Sequence, residues 1–426
     1  RNFAAPLSCR LKSVAGQFRV GSAGTKIAPD WRVTSYPLDR FVAMTTLSGV
    51  CVERSAVSHH QGLLVSIATE DLSGTSMRIS LLLGMAILLC GCNPSGNSSS
   101  NEGARSESPA SPRPASTAGA SSQPAFSGKY PIEVVSTVGM VADIVRNVGG
   151  NQLQVSQVMG AGVDPHLYKA TRDDVQKIMK ADLVFYSGLM LEGKMSDTLI
   201  KVARSKPVVA VTESIDEATL LEPESLQGHY DPHVWMDVSA WTKCVHVVAS
   251  TLSTFDPENT DSYETNAEAY TNELVKLHEY GVRAIASIPE GKRLLVTSHD
   301  AFNYLGRAYG LEVQGVQGIS TESEAGLQRV NELVEMLVAR KVEAVFIESS
   351  VPRKNIDALI EGARSKGHEI RVGGELFSDA MGEAGTYEGT YIGMLDHNIT
   401  TITRALGGET PERGFQGKLK SHSESE

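Results

Sequence analysis

Two identical Asp-Pro-His tripeptides are the most distinctive chemical feature of this sequence. They are Asp164-Pro165-His166 and Asp231-Pro232-His233. Proline holds its own φ at about −65° and restricts the residue before it, so each tripeptide predicts a stiff loop that aims a histidine. The aspartate of each motif is placed to orient its imidazole through a hydrogen bond, as partners of metal-ligating histidines do. The repeat therefore raises the hypothesis of a metal site.

Two further loops offer ligands of the same kind. His299 and Asp300 follow a predicted strand at 293–297, and a loop containing Asp379 follows a predicted strand that ends at Val372. Three imidazoles and one carboxylate suit zinc, manganese or iron(II). No two of these residues have the i, i+4 spacing of a helical metalloprotease motif, so distant loops would supply the ligands.

Each of these residues also has an ordinary structural interpretation. A single histidine in a loop is more often a surface residue or a hydrogen-bonding group of the core than a metal ligand. Asp379 could instead cap a helix that starts at Ala380. The residues alone leave these alternatives open.

The elements that must position the loops alternate between short β-branched runs and amphipathic helices from Tyr130 onward. Strands are predicted at 132–138, 153–159, 183–186, 208–211, 293–297, 345–347 and 369–372. Helices are predicted at 140–148, after the capping residue Thr171, and at 327–338. This alternation predicts an α/β fold in which helices cover parallel sheets. At least three of the four loops leave the carboxyl end of a strand, where open α/β sheets place their ligands.

The alternation of strands and helices stops in the middle of the region that begins at Tyr130. Two helices are predicted in succession, at 238–255 and at 261–288, divided by Asp256-Pro257. The second is unusually long, and such a helix between two α/β halves predicts a rigid connection between two lobes. Flexible hinges would instead consist of short crossovers rich in Gly or Pro. The ligands would then meet in the cleft between the lobes.

The N-terminal part contains a predicted lipoprotein signal peptide at 77–92. Met77-Arg78 precedes an apolar run at 79–89, and Leu89, Gly91 and Cys92 have the order that lipoprotein processing requires. The run is too short to cross about 30 Å of hydrocarbon, and a buried strand is the other interpretation. We expect Cys92 to carry lipid. Residues 1–76 would then come from an over-extended gene start, and the Ser/Ala/Pro-rich stretch at 93–129 would be a flexible tether.

Charge and composition exclude some functions. The 426 residues carry a formal net charge of −11, although residues 1–76 hold more basic than acidic side chains. An acidic body of this kind repels phosphate backbones, so nucleic acid is not an expected partner. The length allows two packed domains with additional segments.

The metal motifs resemble those of a known family. The segments 163–168, 231–237, 296–302 and 374–381 look like those of the metal-specific solute-binding lipoproteins of ABC importers, the TroA-like family. Ile347-Glu348-Ser349-Ser350 and the segment 385–391 are also similar. The resemblance covers about Ile132 to Leu406. It implies two α/β lobes joined by one long helix, with one Zn²⁺ or Mn²⁺ (Fe²⁺ is possible) held by His166, His233, His299 and Asp379.

Further expectations rest on the same resemblance. The lobes would span 130–260 and 289–409, with the linking helix at 261–288 and a polar tail at 410–426. Asp164, Asp231, Asp300 and Glu348 are candidates for orienting the ligands. Partners would be an ABC-type membrane permease and the membrane itself, reached through the lipid anchor. The protein would be exported and monomeric.

The choice of metal stays open at this level. Dedicated zinc members often carry a His-rich loop, whereas residues 218–230 here contain only His229. Strict manganese members resemble each other in placing a carboxylate where this chain has His299. A zinc hydrolase and a surface adhesin are alternative functions. A hydrolase would need an open coordination position for water and a general base beside it. Four protein ligands would fill the coordination shell, so they do not favour a hydrolase.

Overall fold

The computed structural model describes residues 126–223 and 228–420, together with the backbone of three short strands nearer the N-terminus. The chain divides into two units, 1–113 and 114–426. In the first unit, β1 (Thr45–Leu47), β2 (Val50–Val52) and β3 (Ile67–Ala68) pair antiparallel in that order. The rest of the predicted gene-start segment, the signal peptide with Cys92 and the tether before Phe126 lie outside the described residues.

A four-stranded parallel sheet forms the centre of the first lobe. Its order is β5-β4-β6-β7, and Ile132 of β4 pairs in register with Leu153 of β5. Every residue of the inner strand β4 except Glu133 is buried, as expected for a parallel strand covered on both faces. The elements are β4 (Ile132–Ser136), α1 (Gly139–Gly149), β5 (Leu153–Gln157), α2 (Arg172–Lys180), β6 (Leu183–Tyr186), α3 (Ser196–Val202) and β7 (Val208–Ala210).

A local sequence signal explains where α2 begins. Thr171 caps α2 by accepting a hydrogen bond from the backbone N–H of Asp174, whose carboxylate accepts the backbone N–H of Thr171 in return. This reciprocal capping box satisfies two backbone donors that the helix cannot satisfy itself. The cap predicted at Thr171 is therefore present.

Two long helices follow one another in the middle of the chain. Helix α4 (Val238–Phe255) has the predicted bounds, and α5 (Thr260–Ala286) begins one residue earlier and ends two residues earlier than predicted. Helix α5 packs against α1 and α4 and also against the helices at 303–309 and 391–405 of the second lobe. Among the described residues, no helix is long and apolar enough to cross a membrane.

The second lobe contains two pairs of parallel strands, β8 with β9 and β10 with β11, and β8 lies beside β10. Together with the first lobe they confirm the predicted α/β fold with parallel strands covered by helices. The elements are β8 (Leu294–Thr297), α6 (Asn303–Tyr309), β9 (Glu312–Gly315), α7 (Leu327–Ala339), β10 (Ala344–Glu348), α8 (Lys354–Ser365), β11 (Arg371–Leu376) and α9 (Tyr391–Ala405).

The structure differs from the predictions for this lobe at two places. The last strand does not end at Val372 but continues through Gly373 and Gly374 to Leu376. The glycines belong to the strand because a Cβ at Gly373 would come within 2.8 Å of the Phe346 ring, so close packing requires a residue without a side chain. Strand β9 was not predicted, because its residues are largely polar and only partly buried.

The apolar core runs through both lobes. One cluster of buried side chains extends from the first sheet through α4 and α5 to α6 and α9, and includes Trp241, Leu274 and Ile399. A smaller cluster lies between the second sheet and helices α7 and α8. Because α5 contributes to a core shared by both lobes, it is packed as a structural element and not as a free linker. The lobe boundaries given above stay a prediction.

Candidate metal centre

The four predicted ligands lie together in the structure. One nitrogen from each of His166, His233 and His299 and one carboxylate oxygen of Asp379 all fall within 4.8 Å of one another. The Asp379 carboxylate is 3.2 Å from His233 Nε2, 3.3 Å from His299 Nε2 and 3.7 Å from His166 Nε2. All four side chains are buried, and the most exposed residue, His166, is only 6% accessible. Three imidazoles thus face one carboxylate in a site with little room for bulk water.

The surrounding elements explain this convergence. His166 lies in the loop after β5, His299 lies two residues past the end of β8, and Asp379 lies three residues past the end of β11. His233 immediately precedes the short helical turn Val234–Met236 that leads into α4. Parallel strands end at the same edge of their sheet, so loops from both lobes meet there. The alternative of a helix cap at Asp379 is wrong, because the next helix, α9, begins at Tyr391.

Two carboxylates orient two of the histidine rings. Asp231 Oδ1 lies 2.7 Å from His233 Nδ1, and Glu348 Oε2 lies 2.5 Å from His299 Nδ1. The same carboxylates accept the backbone N–H of their histidine, at 3.0 Å for His233 and 2.8 Å for His299. A proton on Nδ1 leaves Nε2 free to face the cluster, so these contacts select the tautomer that a metal ligand needs.

The other two candidates for orienting a ring make different contacts. Asp164 accepts the backbone N–H of His166 at 2.9 Å, and its second oxygen accepts the hydroxyl of Thr321 at 2.6 Å. Asp300 makes no hydrogen bond to the His299 ring in the described part of the chain, and that ring is bonded to Glu348. Among the described residues, no carboxylate accepts a hydrogen bond from His166 Nδ1.

The protonation of the cluster follows from burial and charge. Burial lowers the pKa of His166 to about 4. Burial also acts to lower the pKa of His233, but the charges of Asp231 and Asp379 outweigh it and raise that pKa to about 9. Glu348 and Asp379 likewise outweigh burial at His299 and raise its pKa well above the usual value. Burial alone would raise the pKa of Asp379, yet His299 and His233 hold it well below its usual range. Near neutral pH, Asp379 is ionised and two imidazoles carry protons that a cation would displace.

The donor set fits a single cation. His299 Nε2 and both oxygens of Asp379 are buried without a properly oriented hydrogen-bond partner among the described residues. Buried polar atoms almost always have a partner, so several unpartnered polar atoms that point at one place indicate a ligand there. Imidazole nitrogens and a carboxylate are the donors that zinc and manganese use.

Sequence reasoning missed several residues that hold the loops in place. Thr321 binds Asp164, Asn303 Nδ2 lies 3.3 Å from Asp231 Oδ2, and the Tyr304 hydroxyl donates to the backbone carbonyl of Asp231 at 2.9 Å. The Trp235 indole donates to the carbonyl of Ser378 at 2.9 Å. Each contact joins residues at least 70 positions apart in the chain, so no local sequence pattern predicts it.

Comparisons with known proteins agree with this geometry. The family model "Zinc-uptake complex component A periplasmic", ZnuA, matches residues 134–405. The manganese-binding lipoprotein MntA of Bacillus subtilis is 48% identical over 275 residues, which cover 65% of this chain and 90% of MntA. The zinc-binding protein TroA of Treponema pallidum is 48% identical over 273 residues, which cover 64% and 88%.

Solved structures give the same result. Periplasmic zinc-binding TroA of Treponema pallidum superposes with a TM-score of 0.63 at 47% identity, over 66% of this chain and 99% of that one. Fe(III)-bound YtgA of Chlamydia trachomatis superposes with a TM-score of 0.59 at 26% identity, over 65% and 99%. The matched region is the two-lobed body.

The fold and the buried cluster define an extracytoplasmic solute-binding protein of an ABC importer for metal ions. A family model that covers well over half of the chain and relatives that match over most of their own length make the assignment specific. The chain belongs to the ZnuA family. The resemblance to TroA-like lipoproteins that the motifs predicted is thereby confirmed, as is the predicted class of function.

Proposed function

We propose that this protein binds one divalent transition-metal ion through His166, His233, His299 and Asp379 and delivers it to the permease of its importer. The observation that carries the proposal is the meeting of four buried side chains from four separate loops, with unpartnered atoms facing one another. One carboxylate charge opposes the two charges of the ion. The neutral imidazoles complete a set of four protein ligands.

Zinc and manganese are the proposed cargo. Relatives that are 48% identical are named for manganese in one case and for zinc in the other. A site with three imidazoles should bind zinc more tightly than manganese, because affinities of nitrogen ligands follow the Irving–Williams order. Availability outside the cell, and not affinity alone, would decide which ion is carried. Iron(II) also suits the same donors.

Binding without catalysis is the second part of the proposal. A catalytic zinc site keeps three protein ligands and an open position for water. The fourth ligand here, Asp379, lies within 3.7 Å of each of the three histidine Nε2 atoms, so it occupies the position that a reacting water would need. This arrangement supports a carrier over a hydrolase.

The proposed location is the outer face of a membrane, with lipid on Cys92 and the body held by the tether at 93–129. Support comes from the order of residues around Cys92 and from relatives that are lipoproteins by name. We further propose that the body acts as a monomer. Asp231 and Glu348 are proposed as positioning residues for His233 and His299.

Titration calorimetry with Zn²⁺ and Mn²⁺ tests the proposed site. We expect one ion per chain and zinc as the tighter ligand. Alanine in place of any of the four ligands should weaken binding by more than the roughly 10- to 100-fold that loss of an outer partner causes. His397→Ala is the matched control, because that ring binds the backbone carbonyl of Glu375 outside the cluster. A stoichiometry other than one, or a ligand variant that binds like the parent, would refute the four-ligand site.

A further inference from the structure

The two Asp-Pro-His motifs use their aspartates differently. Asp231 directs one oxygen at both the backbone N–H and the ring of His233. Asp164 also accepts the backbone N–H of its histidine, but its other oxygen accepts the hydroxyl of Thr321. Thr321 belongs to the second lobe, 157 residues further along the chain. The Asp231 carboxylate therefore orients its histidine ring, whereas the Asp164 carboxylate leaves its ring free and binds a hydroxyl of the second lobe.

The loop that carries Thr321 is braced from its own lobe. It connects β9 to α7, and within it the Gln317 side chain donates to the carbonyl of Ser323 at 3.0 Å. Asn355 on α8 donates to the other end of the same Gln317 amide at 3.1 Å. Thr321 is itself buried. Its hydroxyl is therefore presented to Asp164 from a supported position.

A second contact between the lobes lies next to the first. Lys194 of the first lobe and Glu322 of the second approach to 2.8 Å, with both side chains partly exposed. An exposed ion pair contributes little by itself and is weakened by salt. The hydrogen bond from Thr321 to the Asp164 carboxylate is shorter, more buried and made to a charged acceptor, so it is the stronger of the two contacts.

We name the Thr321–Asp164 hydrogen bond the latch. It holds the loop of His166, the histidine whose ring has the fewest hydrogen-bond partners. His233 and His299 each have a carboxylate on the ring nitrogen that faces away from the cluster. His166 has no such partner among the described residues, and the next residue, Leu167, is half exposed. Among the side-chain hydrogen bonds of the described residues, outside the cluster itself, the His166 loop reaches the second lobe through Asp164.

We propose that the Thr321–Asp164 latch sets the rate at which the bound metal ion leaves, by holding the His166 loop closed against the second lobe. The proposal rests on the proposed function of the cluster. Thr321 is a positioning residue, because it reaches the ion only through Asp164 and His166. Opening the latch would let the His166 loop withdraw and give the ion its exit.

The test compares the full chain with Thr321→Val, Thr321→Ser and the control Thr254→Val. Valine keeps the shape of threonine but cannot donate, serine restores the donor, and Thr254 is an exposed residue of α4 bonded only to its own helix. Each protein is loaded with one equivalent of Zn²⁺ and mixed with an excess of a chromogenic chelator in a stopped-flow instrument. Association is measured separately by mixing metal-free protein with Zn²⁺.

We expect Thr321→Val to release zinc roughly ten- to a hundredfold faster, which corresponds to the loss of a hydrogen bond to a charged acceptor. The association rate should stay that of the parent, and Thr321→Ser and Thr254→Val should release zinc at nearly the parent rate. An unchanged release rate in Thr321→Val would overturn the latch, as would a serine variant as fast as the valine variant. A parent chain that binds no zinc would instead overturn the proposed function, and the latch with it.

Discussion

Replacing Glu348 by glutamine isolates the effect of orienting one ligand. Glu348 is 4% exposed and accepts two hydrogen bonds from His299, one from the ring at 2.5 Å and one from the backbone at 2.8 Å. Glutamine has nearly the same shape, but it offers only one acceptor and carries no charge. A hydrogen bond to a charged group contributes about 1.5–3 kcal/mol, against about 0.5–1.5 kcal/mol for a neutral one. The difference, on the order of 1.4 kcal/mol, corresponds to about tenfold in affinity.

Proton competition modifies this effect in a predictable direction. Burial lowers the pKa of His299, but Glu348 and Asp379 raise it well above its usual value, so in the parent a proton competes with the metal ion. Loss of the Glu348 charge lowers the pKa of His299 and relieves part of that competition. The loss of affinity should therefore be larger at about pH 8 than near pH 6, because proton competition at His299 weakens as the pH rises.

Competition calorimetry with Zn²⁺ at these two pH values measures the effect. Asp300→Asn is the matched control, because Asp300 adjoins His299 in sequence but, among the described residues, it is Glu348 and not Asp300 that bonds to the His299 ring. We expect this control to bind zinc nearly as tightly as the parent. An affinity of Glu348→Gln equal to that of the parent at both pH values would refute the reasoning, and so would a larger loss in Asp300→Asn.

Four further predictions follow from the same geometry. Zinc binding near pH 7 should release about two protons, because His233, with a pKa of about 9, and His299 must each lose one. Calorimetry in buffers of different ionisation enthalpy counts the released protons. A count of zero would contradict the protonation of these two histidines. Affinity should accordingly rise with pH between 6 and 8, and a fall would contradict the sign. Gly281→Val should lower the free energy of unfolding by about 1–3 kcal/mol, because a Cβ there would come within 2.8 Å of the ring of a tyrosine on α6. Denaturant unfolding measures this change. The control Glu279→Val, at an exposed position of the same helix, should lower the free energy of unfolding by less. Cys92→Ser should leave an unprocessed or released protein in membrane fractionation, and a variant that is lipidated like the parent would refute the anchor.

A rigid connection between the lobes can be tested in solution. Helix α5 shares its core with both lobes, so metal binding should shift them only slightly. Small-angle scattering with and without zinc should give nearly superimposable profiles. A large compaction would indicate a hinge and contradict the interpretation of α5 as a strut.

Several candidate ligands and the main helices could be recognised in the sequence because their signals are local. The repeated tripeptides mark His166 and His233, and an apolar run ending just before His299 marks a strand that presents a ligand. Helix α4 was predicted at its observed bounds because its apolar residues recur at helical spacing and Asp256-Pro257 ends it. Such features depend only on neighbours in the chain.

The contacts that support the ligands could not be predicted, because they depend on tertiary packing. Glu348 holds the ring of His299 from a strand 49 residues away, whereas sequence proximity had also suggested Asp300. Thr321 lies in a polar loop with no distinguishing pattern, yet it binds Asp164 across the cleft. Gly373 indicated a loop but lies in β11, because the ring of Phe346 occupies the space of its missing side chain.

A crystal structure of the zinc-loaded protein, with anomalous data collected at the zinc edge, tests the central claim most directly. The account predicts one anomalous peak per chain, about 2.0–2.2 Å from the Nε2 atoms of His166, His233 and His299 and from an oxygen of Asp379. A peak elsewhere, a second peak of equal height, or a zinc ion that leaves any of these four side chains uncoordinated would contradict it.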